Sequence, residues 1–455
     1  MVVDDAPSST RRLSRATIVR YSIGSIATGG FGTLPGLVLV YYLTDTLGVA
    51  ALVAGLVVGL AKVWDVIIDP IIGTASDADL HATGSRRRFL VTGGLAIPIL
   101  FVATFAVPGG LGPDAAAVWV LIAFVATATA FSVFQVPYIA LPAEIAHGYD
   151  DRTRLLTWRV VVLTFAILLF GAGGPVLRGL GGDARSGYLV MAVVAGAVLA
   201  AGMLASAGVA PRGPKQLAAT RPRTVDGYRR SFAVLRRSRP FRALLAVFAV
   251  QALATGMMLA GAQYVATWVL DSEDAVTFLF VALIAPALLF APAWGAVARR
   301  VGKERGFALA SIVFAVAALS LLALAWAPGP WVYLPVAIAG AAYAGMQSLP
   351  MAMLPDVIAD DAMASGPGWA GAFGGVWTAG ETTGMALGST ALTLVLALSG
   401  YVESVAGERV VQSPEAVFGI VVSFSIVPAV LIGLSLLALS RYRLRRGSLA
   451  SEGTL

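Results

Sequence analysis

The sequence predicts an all-α integral membrane protein: twelve transmembrane helices in two six-helix, pseudo-symmetric bundles. Three observations carry that expectation. The 455 residues are 58% hydrophobic and only 13% charged, whereas a soluble domain is nearer half apolar and a quarter charged. Apolar runs close to the roughly 20 residues that cross a bilayer recur with short breaks between them. Of the 32 Lys and Arg, 27 fall in the two termini and in alternate connections, the bias that marks cytoplasmic segments.

The elements follow in order. The opening MVVDDAPSSTRRLSRATIVRYS has no short apolar core before a cleavage site and reads as a mature cytoplasmic tail. Apolar spans are then expected at 17–44, up to Asp45, and at 50–76. The span 88–108 follows the Arg86–Arg88 cluster, and 115–145 follows a Gly-Pro turn. The span 155–178 runs between Arg154 and Arg178, and 187–210 ends at Pro211. Residues 211–240 hold the longest basic connection. Beyond it, 241–270 and 275–298 flank the acidic turn DSED, and 305–327 follows KERG. The last three, 331–358, 368–398 and 415–440, are separated by the breaks SGPG and QSPE. The expected organisation is an N-terminal bundle (1–210), a cytoplasmic linker (211–240) and a C-terminal bundle with a cytoplasmic tail (241–455). The halves echo each other: DPIIG before one basic loop recurs as APAWG before another, with Pro70 and Pro292 222 residues apart.

One stretch stands out. AKVWDVIIDPIIG carries Lys62, Asp65 and Asp69 at spacings of three and four inside an apolar span. Those offsets share one helix face, continued by Gly73 and Ser76. Intramembrane charges are costly, so the stripe is expected to face the bundle interior. Lys62 can neutralise one carboxylate; the second leaves a negative remainder suited to a cation or a proton. Of the other intramembrane charges, Arg159 and Glu381 are also expected to face inward. Gly380, Gly384 and Gly388 follow a small-xxx-small spacing that lets a neighbouring helix approach.

KVWDVIIDPIIG resembles the second-helix signature of the glycoside–pentoside–hexuronide:cation symporters, a branch of the major facilitator superfamily. VPYIALPAEIAHGYDDRTRLLTWR, RPFRALL, MLPDVIADD and ALGSTALTLVLALSGY are similar to later family segments in the same order. The resemblance implies the major facilitator fold and symport of a small solute such as a sugar with a cation, by alternating access. It implies that Asp65 and Asp69, with Ser132, bind the cation, that Lys62 tunes their charge, and that Arg159 binds substrate. It extends the substrate side to Gln135 and Ser25, which stand where sugar-binding members carry acids, and to Thr382, where they carry a lysine. Glu381 and Trp377 share the face beside it. Ile68 replaces a side-chain amide of the family, a loss that favours H+ over Na+ as coupling ion. Glu144, Arg152 and Asp356, at cytoplasmic helix ends, are expected to act in gating.

No cofactor and no metal site are expected; the chain has no cysteine. No H-E-x-x-H, G-x-S-x-G or phosphate loop suggests an enzyme. The net charge of +7 reads as a topology signal rather than nucleic-acid binding. The expected partners are a small-molecule substrate and the lipid bilayer, with the protein a monomer in the plasma membrane and both termini cytoplasmic. The alternatives are a lysophospholipid or amphiphile transporter of the same fold, and a transporter-derived receptor.

Overall fold

The structure, a computed structural model, describes residues 13–146, 149–211, 235–365, 370–407 and 410–442. Most of the linker therefore lies outside the described residues, as do both tails, His147 and the side chain of Arg152.

Twelve helical spans are present among the described residues, all long and apolar enough to cross a membrane. We number them α1 (Arg15–Asp45), α2 (Ala51–Thr83), α3 (Arg87–Phe105), α4 (Pro113–Ile145), α5 (Tyr149–Gly179) and α6 (Ala184–Ala207). The second six are α7 (Arg239–Val269), α8 (Ala275–Val301), α9 (Lys303–Ala325), α10 (Tyr333–Ser365), α11 (Ala370–Leu398) and α12 (Pro414–Leu439). All twelve expected spans are found, but α2 and α10 each run about two turns past their expected ends. At α2 the added turns are polar. At their start, Ser76 and Asp77 are held by Arg86, whose Nη1 donates to Ser76 Oγ at 2.8 Å and Nη2 to Asp77 at 2.5 Å. His81 sits in the last helical turn.

Within the first six, α3 packs on α4 and α6, α1 on α5, and α2 on α4. Within the second six, α7 packs on α11 and α12, and α10 on α8 and α9. The α7–α11 seam is the close approach that the glycine spacing foretells. A Cβ on Gly384 would stand 2.5 Å from the Ala249 carbonyl oxygen, and one on Gly388 2.3 Å from that of Leu253.

The two halves meet along α2–α11, α5–α8 and α1–α7. These contacts gather toward one end, which we call the latched face. There Leu47 and Val405 form an antiparallel bridge. Ser404 N donates to Thr44 O at 3.0 Å, and Ala406 N to Thr46 O at 3.1 Å. The Asp45 carboxylate accepts from Thr44 Oγ1 and from Tyr401 Oη, each at 2.5 Å. Burial, and then the Asp45 charge, hold the Tyr401 hydroxyl well above its ordinary pKa, so it remains the donor. The opposite end, where the basic connections lie, is the basic face.

Candidate functional site

The α2 stripe forms as its spacing requires. Lys62 Nζ donates to Asp65 Oδ2 at 3.0 Å, and the ammonium also lies 5.9 Å from the centre of the Phe31 ring on α1. One turn on, Asp69 is next to the Ser132 hydroxyl of α4, with Asp65 and Lys62 close enough to act on its charge. Ser132 is 3% exposed and Asp69 half-buried.

Trp64 sets this register. Its Nε1 donates to Thr129 Oγ1 on α4 at 2.8 Å. Thr129 and Ser132 are one helical turn apart on α4, and α2 and α4 run in the same direction, so the bond that fixes Trp64 also sets Ser132 against Asp69. Among the described residues, Asp65 Oδ1 and Asp69 Oδ1 are both buried without a hydrogen-bond partner. Buried polar atoms are nearly always paired. Two such oxygens on one turn, with a hydroxyl beside them, form an arrangement able to take a proton or a small cation.

The N-half substrate residues converge on the α1–α4–α5 contact. Ser25 Oγ and Tyr138 Oη are 2.8 Å apart, and Tyr138 Oη donates to Tyr21 O at 2.8 Å, so Ser25 supplies the other proton. Thr28 Oγ1 donates to Gln135 Oε1 at 2.8 Å. Ser25 and Gln135 are thus engaged inside the bundle, where acids would project charge. The Arg159 guanidinium lies over Tyr138, 5.6 Å from its ring centre, and Arg159 Nε is buried without a partner. Sequence reasoning missed Thr28 and Tyr138. Tyr138 had a signal, the Pro-Tyr pair within a span already singled out; Thr28 had none.

In the C half, Trp377 is buried and stacks on Phe248 of α7, with ring centres 4.2 Å apart. Glu381 and Thr382 are half-buried on α11. Tyr343 of α10, which accepts from Gln347 Nε2 at 2.6 Å, lies within range of the Glu381 charge. Trp377 therefore packs α11 on α7. Tyr343 and Gln347 were not foreseen.

At the basic face, Glu144 accepts from Arg86 Nε at 2.5 Å, and Asp356 from Lys303 Nζ at 2.5 Å. Each pair joins helices of one half, so in this conformation neither spans the two bundles. Burial opposes the Arg86 charge, but hydrogen bonds from it to Glu144 and Asp77 prevail and raise its pKa.

The family described as MFS/sugar transport protein matches residues 20–446. The chain belongs to that family. This MFS transporter is 24% identical over 453 residues to an uncharacterised symporter of Bacillus subtilis (strain 168), covering 96% of this chain and 93% of that one. It is 25% identical over 439 residues to a glucuronide carrier protein homolog of Escherichia coli (strain K12), at 94% and 92% coverage. A sodium-dependent lysophosphatidylcholine symporter of Mus musculus is 24% identical over 395 residues, at 79% and 72% coverage. Among solved structures, a D-xylose–proton symporter superposes with a TM-score of 0.68 at 15% identity, covering 94% of this chain and 97% of that one. The fold is the major facilitator fold, and the protein is a membrane transporter.

Proposed function

We propose that the protein is a cation-coupled symporter of a small polar organic solute such as a sugar or glycoside, working by alternating access as a monomer in the cell membrane. The observation that carries this is the pair of unpartnered, buried carboxylate oxygens on Asp65 and Asp69, next to Lys62 and Ser132. The relatives named as symporters and as a glucuronide carrier homolog support the same reading. The basic face is the cytoplasmic face by its Lys and Arg excess, so both termini are cytoplasmic. The latched face is then external, and the described conformation is closed outward.

The coupling ion is H+ rather than Na+. Sodium, a hard ion, needs several oxygens, whereas the stripe offers Ile68 between its acids. Lys62 answers Asp65, which leaves Asp69 as the group that exchanges a proton. Binding the proton removes the uncompensated charge and lets the loaded bundles rock, with Arg159 and Gln135 on the substrate side.

The test is uptake by protein reconstituted in liposomes under imposed gradients. An inward proton gradient should drive uptake and a sodium gradient at fixed pH should not. Asp69→Asn should lose gradient-driven uptake by more than about tenfold while retaining exchange of solute. Undiminished proton-driven uptake in Asp69→Asn would sink the assignment. A second reading, amphiphile transport, has one observation of its own. A membrane-facing apolar groove of about 430 Å³ lies at the seam of α2, α7 and α11, lined by Leu52, Leu56, Leu253, Leu387 and Leu394. Competition of uptake by lysophosphatidylcholine but by no sugar would favour it.

A further inference from the structure

We propose that the transported solute is dipolar, with an anionic group facing Arg159 and a cationic nitrogen facing Glu381. The inference rests on the transport reading above and names the substrate class of that same site. The internal repeat supplies the first reason. Pro70 and Pro292 mark equivalent places at an offset of 222 residues, and Arg159 and Glu381 are separated by the same 222. They hold matching positions on α5 and α11. Arg159 lies ten residues from the start of α5 at Tyr149, and Glu381 eleven from the start of α11 at Ala370. At 1.5 Å per residue each is roughly 15 Å in from the basic-face end of its helix. Transporters built from two repeats bind substrate near the membrane midplane at the repeat interface. Equivalent positions at equal depth on the two repeats are where a solute held there meets both walls.

The second reason is that neither charge is answered within the protein. Among the described residues, no ion pair includes Arg159 or Glu381. Arg159 has an aromatic face under it but an unpaired buried Nε. Lys62 is committed to Asp65 at 3.0 Å, so it does not neutralise Glu381. Tyr343, within range of the Glu381 charge, offers only a neutral hydroxyl.

Opposite charges at equivalent positions of the two halves discriminate by sign. A uronic acid satisfies Arg159 but places its charge in the field of Glu381. A neutral sugar leaves two desolvated charges without partners. A solute with both signs relieves both, and a site built for such groups rejects analogues that leave its charges unpaired. Two sources share this chemistry: an amino-uronic sugar and a phosphocholine headgroup.

The experiment compares five probes on the purified, full-length protein by ligand-induced thermal shift and by counterflow in liposomes: glucose, glucuronic acid, glucosamine, 2-amino-2-deoxyglucuronic acid and glycerophosphocholine. One of the two dipolar probes should bind at least about tenfold tighter than any other probe, and which one does so identifies the source. Glu381→Gln should reduce that probe to the level of its singly charged anionic counterpart, whereas Glu381→Asp should keep the preference and controls for folding. Arg159→Gln should remove the contribution of the anionic group instead. The proposal is overturned if glucose, glucuronic acid or glucosamine binds as tightly as the best dipolar probe, if none of the five binds, or if Glu381→Gln leaves the preference unchanged. Failure of the symport reading has a different signature: the dipolar probe binds with its preference intact, but neither a proton nor a sodium gradient drives its uptake.

Discussion

The two ends of the molecule use similar polar side chains to opposite effect. At the latched face, bonds cross between the halves: Tyr401 to Asp45, Tyr264 to Thr44 at 2.6 Å, and Ala51 N to Glu403 Oε1 at 2.7 Å. Gly48, at φ +67, turns the chain there with Val405 packed against it; a left-handed backbone of this kind favours glycine. At the basic face the ion pairs among the described residues stay within one half: Arg86 with Asp77 and Glu144, Lys303 with Asp356, and Arg237 with Asp361. The first set ties the halves together in the described conformation; the second joins segments without crossing between the halves. A rocking transporter needs both, at different places.

The comparison is most sharply broken by locking one end. The protein has no cysteine, so a Leu47→Cys/Val405→Cys pair introduces the only two thiols, at positions already bridged. Oxidation should abolish transport, by about a hundredfold or more, and reductant should restore it. Transport that continues with the pair quantitatively oxidised would mean the latched face need not open.

Next in size is Arg86→Ala. It removes the shared donor of Ser76, Asp77 and Glu144, and breaking a buried ion pair costs about 3–5 kcal/mol. The melting temperature of the purified protein should fall by several degrees, with no change in how often the latched face opens, since every partner lies in the first half.

The smallest effect is expected from Asp45→Asn. The side chain keeps its shape but replaces a charged acceptor with a neutral one, and a hydrogen bond to a charged group contributes about 1.5–3 kcal/mol. Part of that loss should appear as a roughly fivefold to tenfold shift toward the outward-open state. It can be read as labelling of a single cysteine at Leu259, which packs across the halves against Gly36. If labelling is unchanged while melting falls, the Asp45 network stabilises the fold instead of the conformation.

Much of the fold was legible because membrane insertion leaves few options. Backbone groups in lipid must be satisfied within helices, so every apolar run of sufficient length declares itself. The helix ends were less legible. The last turns of α2 are polar, and what extends them is Arg86, a residue beyond the helix whose partners cannot be seen along the chain. At the site, the helix period alone placed Lys62, Asp65 and Asp69 on one face. It could not decide which carboxylate Lys62 would take.

The sequence by itself determined the twelve spans, their basic-face bias and the charged stripe, because each depends on composition and local period. Only the tertiary structure decided that Trp64 sets α2 against α4, that Glu144 and Asp356 serve their own halves, and that Asp65 and Asp69 each keep an unpartnered oxygen. Those outcomes depend on which helices become neighbours, and in lipid that choice is made by close packing and a few interhelical hydrogen bonds between residues far apart in the chain.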